Sequence, residues 1–226
     1  MFDNSITFSV ITQEENRMNP KISDPRIAFF DNLAANWDNE EPSSETMTAR
    51  LSQHADILAL RAGQSMLEVG CGTGKTTAWL AEQVAPGRVT AVDFAPEMIE
   101  RAKAKRIDAD FACVDVCDTI LSAGWYDVIL CFHSFPHFRD QSAALRNFAR
   151  ALKPDGRLIV MHLAGSDHIN HFHANLAGPV NGDVLPVGDQ WPPLLSAVGM
   201  KLTKSIDQPD LFFVEAVNNP HISYSV

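Results

Sequence analysis

A chain of 226 residues, 46% hydrophobic and 20% charged, has the make-up of an ordinary globular protein with room for one substantial core. Its 18 Lys and Arg against 28 Asp and Glu leave a net charge of −10, and the cations do not cluster, which argues against a nucleic-acid surface. No apolar run approaches the ~20 residues of a membrane helix, and the N-terminus lacks the basic and continuous apolar regions of a signal peptide.

Residues 1–19 show no helical period and read as a flexible tail, with Met18 as an alternative start to Met1. Residues 24–37 read as an amphipathic helix: Pro25 suits the first turn, and Ile27, Phe30 and Leu33 share a face. After the polar break 38–43, a second helix is expected from Ser44 to Leu60, with Ser43 or Ser44 as cap. From residue 65 strands and helices alternate. Strands are expected at 65–70, 88–93, 109–114, 126–132 and 157–163. Helices are expected at 75–85, from Pro96, from the cap Asp140, and at 166–176. Lys153-Pro154-Asp155-Gly156 reads as a turn in which Gly156 takes the unusual φ. A Gly/Pro-rich loop (178–189) and a short helix (190–198) precede two last strands, near 200–207 and 210–217, read as an antiparallel edge pair. Continuous apolar strands between helices imply a doubly wound α/β sheet, mostly parallel and covered on both faces. Cys71, Cys113, Cys117 and Cys131 form no CxxC pair, and reduced thiols in a cytoplasmic protein are expected.

The stretch Met66–Thr77 runs from an apolar strand through Gly70, Gly72 and Gly74 into a helix. Glycine permits positive φ and close approach to the backbone. A phosphate-binding loop of the form GxxxxGK[ST] fails on spacing, because Val69 stands where its first glycine belongs. A GxGxxG dinucleotide fingerprint fails too, because the third glycine comes one residue early. An ordinary tight turn does not call for three glycines in five residues behind an acidic Glu68.

Leu67-Glu68-Val69-Gly70-Cys71-Gly72-Thr73-Gly74 resembles motif I of the class I S-adenosylmethionine-dependent methyltransferases, in particular their type 11, UbiE-like group. Val89–Met98, Asp115-Val116, Tyr126–Ile129 and Leu152–Gly156 resemble the later motifs, in family order, and the resemblance covers about residues 24–217. It implies a seven-stranded sheet with an antiparallel last strand and a single domain over 20–226. It also implies S-adenosylmethionine as cofactor and S-adenosylhomocysteine as product. Gly70, Cys71, Gly72 and Gly74 would form the platform under the methionine and ribose, with Glu68 offering negative charge to the ammonium side. Asp93 would accept from the ribose hydroxyls, Phe94 would cover one face of adenine, Met98 would also contact the cofactor, and Asp115 with the Val116 backbone would meet the adenine amino edge. Backbone at Cys131 and Phe132 would close the methionine end. Helices in 20–62 would form a lid, and 164–189 an insertion beside the acceptor.

Six of the eight histidines fall within 133–173. In the expected topology His133, His137 and His162 stand at the C-terminal ends of neighbouring strands, where ligands bind. They are candidate catalytic bases acting on a small-molecule acceptor. His137, His162 and His173 are also candidate ligands for a divalent metal, with Asp183 in reserve. Phe135–Phe138 and Gly178–Pro186 resemble segments of some methyltransferase-like proteins, a resemblance that names no substrate. The expected activity is methyl transfer to a small molecule by a monomer or homodimer, without nucleic acid or membrane as partner. The alternatives are a cofactor- and metal-binding regulator and a nicotinamide oxidoreductase of similar topology.

Overall fold

The computed structural model describes residues 24–39 and 42–218. The 1–19 tail and the choice between Met1 and Met18 lie outside the described residues. Seven strands, β1 (Ser65–Val69), β2 (Arg88–Asp93), β3 (Asp110–Cys113), β4 (Tyr126–Phe132), β5 (Leu152–His162), β6 (Met200–Gln208) and β7 (Leu211–Asn218), form one sheet. Their order is β3-β2-β1-β4-β5-β7-β6. The first five strands pair in parallel, and β7 runs antiparallel to both its neighbours. The last two strands do form an antiparallel pair, as their spacing predicts. β7 inserts beside β5, however, so of this pair only β6 is an edge strand, β3 being the edge at the other side.

The sheet is apolar on both faces because each strand alternates. Leu67 and Val69 of β1, Ile129 and Cys131 of β4, and Leu158 and Val160 of β5 face one core. Helices α6 (Gln141–Ala151) and α8 (Trp191–Ser196) cover that core through Leu145, Phe148, Trp191 and Leu195. Met66, Val128, Leu130, Ile159 and Met161 face the other. There α2 (Ser44–Ser52), α3 (Ala55–Leu58), α4 (Thr77–Val84) and α5 (Pro96–Ala104) supply Leu51, Leu58, Leu80 and Ile99. Asp140 caps α6 by accepting from the Ala143 N–H at 2.8 Å, a contact typically worth about 1 kcal/mol.

The structure departs from the sequence expectations at local breaks. The predicted 44–60 helix divides after Ser52, and its second part ends at Ala59 in the left-handed region (φ 46°). Arg157 Nη2 donates to the Leu58 and Ala59 carbonyls at 3.0 and 3.1 Å, satisfying groups the broken helix leaves open. The first helix, α1 (Pro25–Ala34), stops early, and a 3-10 turn over Trp37–Asn39 follows. Residues 153–156 lie within β5 as an irregularity rather than as a separate turn. Asp155 takes the positive φ (63°), and Gly156 is needed for space, since a Cβ there would lie 3.0 Å from the Tyr126 carbonyl oxygen.

The order reverses between β1 and β4, the switch point outside which open parallel sheets bind ligands. Val69, Asp93 and Phe132 end their strands there. Helix α7 (Ser166–Ala174) follows β5 on the same side.

Candidate functional site

The loop after β1 is pressed against the end of β4. Gly70 has φ +73°, and a Cβ on it would fall 2.3 Å from the Cβ of Ser134. The Ser134 hydroxyl donates to the Val69 carbonyl at 2.6 Å and fixes this approach. Gly72 also has positive φ (+54°). Its N–H donates to Asp93 Oδ2 at 2.9 Å, and the Ala95 N–H donates to Asp93 Oδ1 at 2.9 Å. Each carboxylate oxygen so holds one backbone donor and keeps a lone pair for a ligand. Asp93 is 7% exposed, and burial raises its pKa to about 6 against the pull of its backbone donors.

Glu68 does not reach the cleft. The β alternation puts it on the face of Met66, beneath α4, where Thr76 and Thr77 hydroxyls donate to its two oxygens at 2.9 and 2.6 Å. Burial pushes its pKa up to about 7, with the charge of Asp93 adding to the shift. Its observed role is to tie the start of α4 to β1. Cys71 and Cys131 are buried, and burial raises both thiols well above their ordinary range.

In front of the loop lies a cleft. Of the sequence-predicted residues it is lined by Gly70, Gly72, Asp93, Phe94, Met98, Asp115 and Val116. Glu68, Cys71, Gly74, Cys131 and Phe132 stand behind this wall. His133 and Ser134 line the end of the cleft where Cys131 and Phe132 were expected. The Cys117 N–H donates to Asp115 Oδ1 at 2.8 Å, and Arg139 Nε donates to Oδ2 at 3.3 Å. The lining suits a nucleoside: a buried carboxylate with open lone pairs for a diol, apolar Phe94, Met98 and Val116 for a ring, and a second carboxylate beyond it.

The N-terminal segment covers this cleft. The Thr73 hydroxyl donates to Asp38 Oδ1 at 2.5 Å, and Lys105 Nζ pairs with Asp38 Oδ2 at 2.9 Å. The Glu97 N–H donates to Asp31 at 2.9 Å. The Phe30 ring lies between Phe94 (5.7 Å between centroids) and His137 (5.2 Å).

A second chamber opens beyond His133 and His137, which line both spaces. His162, His168 and His173 complete its imidazole lining. The three predicted catalytic histidines therefore meet, in unlike settings. His133 (φ 55°) accepts at Nε2 from the Leu163 N–H at 3.3 Å. Burial, then the charges of Arg50 and His137, lowers its pKa to about 4. His162 is 2% exposed, neither ring nitrogen has a hydrogen-bond partner, and burial pushes its pKa well below the usual range. His137 differs: its Nδ1 lies 2.7 Å from Asp183 Oδ2. Asp183 in turn receives Arg26 Nη2 at 2.5 Å and Nε at 3.1 Å, and its side chain is 2% exposed. Against burial, the hydrogen bonds from His137 and Arg26 hold the Asp183 carboxyl below its ordinary pKa.

The expected metal triad does not assemble. His137 and His173 rings are 4.9 Å apart, but Asp183 takes Nδ1 of His137, and His162 packs against His133 and Phe212. Among the described residues no group of three or more His, Cys, Asp or Glu is placed to hold a metal ion. Arg26 was not legible as a site residue; its bond to Asp183 spans 157 positions, and no local pattern signals it.

Residues 67–160 match a family model described as a methyltransferase domain. The chain is 28% identical over 166 residues to a malonyl-acyl-carrier protein O-methyltransferase of Acetivibrio thermocellus, covering 73% of this chain and 57% of that protein. It is 30% identical over 142 residues to a ubiquinone biosynthesis O-methyltransferase of Xanthomonas oryzae, covering 59% of each. The chain spans about half the length of the curated relatives it matches. Among solved structures, a SAM-dependent methyltransferase from Aquifex aeolicus has a like fold, with TM-score 0.66, 19% identity, and 83% and 97% of the two chains covered.

Proposed function

We propose that the chain, whose residues 67–160 match a methyltransferase-domain model, is a class I S-adenosylmethionine-dependent methyltransferase of the type 11 group, and that it transfers a methyl group from S-adenosylmethionine to a small molecule held in the histidine-lined chamber. The observation that carries this reading is His137 at the junction of the two spaces, with Asp183 bound to its Nδ1.

When bound, the cofactor supplies an electrophilic methyl on a sulfonium, so the protein's share is positioning and proton removal. Asp93 binds the ribose hydroxyls with its open lone pairs. Phe94, Met98 and Val116 enclose the adenine, and Asp115 accepts from its amino group. Gly70 and Gly72 let the methionine portion lie against bare backbone, closed by His133 and Ser134. His137 takes the acceptor's proton at Nε2. Asp183 accepts from Nδ1–H and so fixes the tautomer with Nε2 free. His133 and His162 are weaker bases because burial disfavours their charged forms. They shape the chamber and bond the acceptor.

Within 20–62, the helices α1, α2 and α3 serve as the lid, and 164–189 as the far wall. Four free cysteines suit a cytoplasmic protein, and the acidic chain suits a free small molecule better than a nucleic acid. The test is incubation with methyl-labelled cofactor and a panel of small hydroxylated, amino and thiol acceptors. Label transfer that His137→Gln abolishes, with cofactor binding kept, is expected. Tight cofactor binding without transfer to any acceptor would replace this reading with a regulatory one.

A further inference from the structure

We propose that the histidine-lined chamber is built for a small carboxylic acid, with Arg50 pairing the carboxylate at the mouth and His162 bonding a polar group of the same molecule at the floor. The use of that molecule as methyl acceptor rests on the methyltransferase reading; its binding does not.

The floor carries the first observation. His162 is 2% exposed and lines the chamber, yet both its ring nitrogens lack a partner. Nδ1 of His173, on the same chamber, is also unpartnered. Buried polar atoms are nearly always paired in native proteins. A neutral imidazole has one N–H to give and one lone pair to receive with. The two ring nitrogens point in divergent directions, so a ligand hydroxyl answers one of them, accepting from the N–H or donating to the bare nitrogen.

The mouth carries the second observation. Arg50 Nη2 donates to the Leu163 carbonyl at 3.0 Å, and among the described residues Arg50 has no ion pair. A guanidinium has five N–H donors in a planar fork, matched to a carboxylate. Lys75 also lines the chamber, but its Nζ donates to the Pro42 carbonyl at 3.0 Å and lies over the Trp37 ring at 5.9 Å, whereas Arg50 presents a planar fork suited to a carboxylate. No Asp or Glu is among the described residues lining this chamber, although the chain as a whole carries −10. A cavity lined by one sign of charge focuses its field on ligands of the other sign. Between mouth and floor the wall is apolar, with Trp37, Met47 and Ile169. Phe172 at this wall is 53% exposed, a large apolar ring for a ligand body to cover.

The experiment is calorimetric titration, with and without saturating S-adenosylhomocysteine, of para-hydroxybenzoate, salicylate and hydroxyphenylpropionate, each against its primary amide. The proteins are wild type, Arg50→Gln and His162→Phe. Acids are expected to bind at least about tenfold more tightly than their amides, a difference of one decade in affinity. Arg50→Gln is expected to bring that ratio close to one while leaving S-adenosylhomocysteine affinity unchanged. His162→Phe is expected to weaken acid and amide alike. Failure of every acid to bind, equal affinity of acid and amide, or an unchanged ratio in Arg50→Gln overturns the proposal. Failure of S-adenosylhomocysteine to bind overturns the methyltransferase reading instead, and the acid–amide ratio without it still decides this one.

Discussion

Nδ1 of His137 lies 2.7 Å from Oδ2 of Asp183, and the two residues are 46 positions apart. One stands in a 3-10 turn after β4 and the other in the loop after α7. A carboxylate on one imidazole nitrogen leaves the other free to take a proton, which is the arrangement a positioned base needs.

His137→Gln is therefore expected to lower kcat by about 100-fold or more, the usual worth of a positioned base. Asp183→Asn is expected to lower kcat in the same direction, with the cofactor's affinity unchanged in both. Single-turnover methyl transfer over a pH series, beside S-adenosylhomocysteine titration, separates the two effects. Loss of cofactor affinity in step with kcat would mean a structural role only.

Arg26 holds the other oxygen of Asp183, and through it α1 is tied to the loop that presents the carboxylate. Arg26→Met leaves a 2% exposed carboxylate without its cation. Because Arg26 is itself 21% exposed, water replaces part of the pairing, and the expected loss of stability is about 2 kcal/mol rather than the larger cost of a fully buried pair. Urea unfolding measures it.

Glu68 gives a pH-dependent prediction with a definite sign. In the unfolded chain its carboxyl loses its proton near the ordinary glutamate value of 4.5, in the folded protein only near 7. Between these values the folded state binds more protons, so stability falls as pH rises through this window and the cost is complete above 7. The shift corresponds to at most about 3 kcal/mol. Glu68→Gln removes the charge, so its stability relative to wild type should rise from pH 5 to pH 8. Urea midpoints at the two pH values check this, and no change in the difference between them would contradict it.

Gly70→Ala puts a methyl group 2.3 Å from the Cβ of Ser134, at a backbone φ of +73°. A shift of the loop is forced, and about 1–3 kcal/mol of stability should be lost, together with cofactor affinity. Gly182→Ala, also at positive φ but with open space around its Cβ, is expected to keep cofactor affinity. Thermal unfolding and ligand titration of the pair distinguish crowding from backbone strain.

The parts of the fold that were legible in the sequence are those where one local pattern decides. Val89 to Val92 are buried without a break, which the continuous apolar run implied, and Asp93 ends that strand where the glycine loop meets it. Pro96 and Asp140 start their helices as their chemistry requires. The charge of Glu68 suggests a ligand in the sequence, but in the fold it shares the face of Met66, opposite Leu67 and Val69, and turns away from the cleft. What the sequence left hidden depends on distant partners. Arg157, reaching from β5 to the Leu58 and Ala59 carbonyls, stabilises an early helix end that the 44–60 period does not show. The histidines were legible as a cluster. Their separation into an oriented His137, a backbone-bonded His133 and an unpartnered His162 was not, because it rests on Asp183, Leu163 and burial.

In the proposed function, the cleft before Gly70, Gly72 and Asp93 holds S-adenosylmethionine. Asp93 accepts from two backbone N–H groups and would give the ribose two further bonds, so its loss should be felt as a factor and not as a trend. Calorimetric titration of S-adenosylhomocysteine and NADH into wild type and Asp93→Ala is the most direct measurement. One site for S-adenosylhomocysteine is expected, weakened by about 100-fold in Asp93→Ala at ~1.4 kcal/mol for each lost hydrogen bond, with no binding of NADH. Binding of NADH without S-adenosylhomocysteine, or unchanged affinity in Asp93→Ala, would contradict the proposed function.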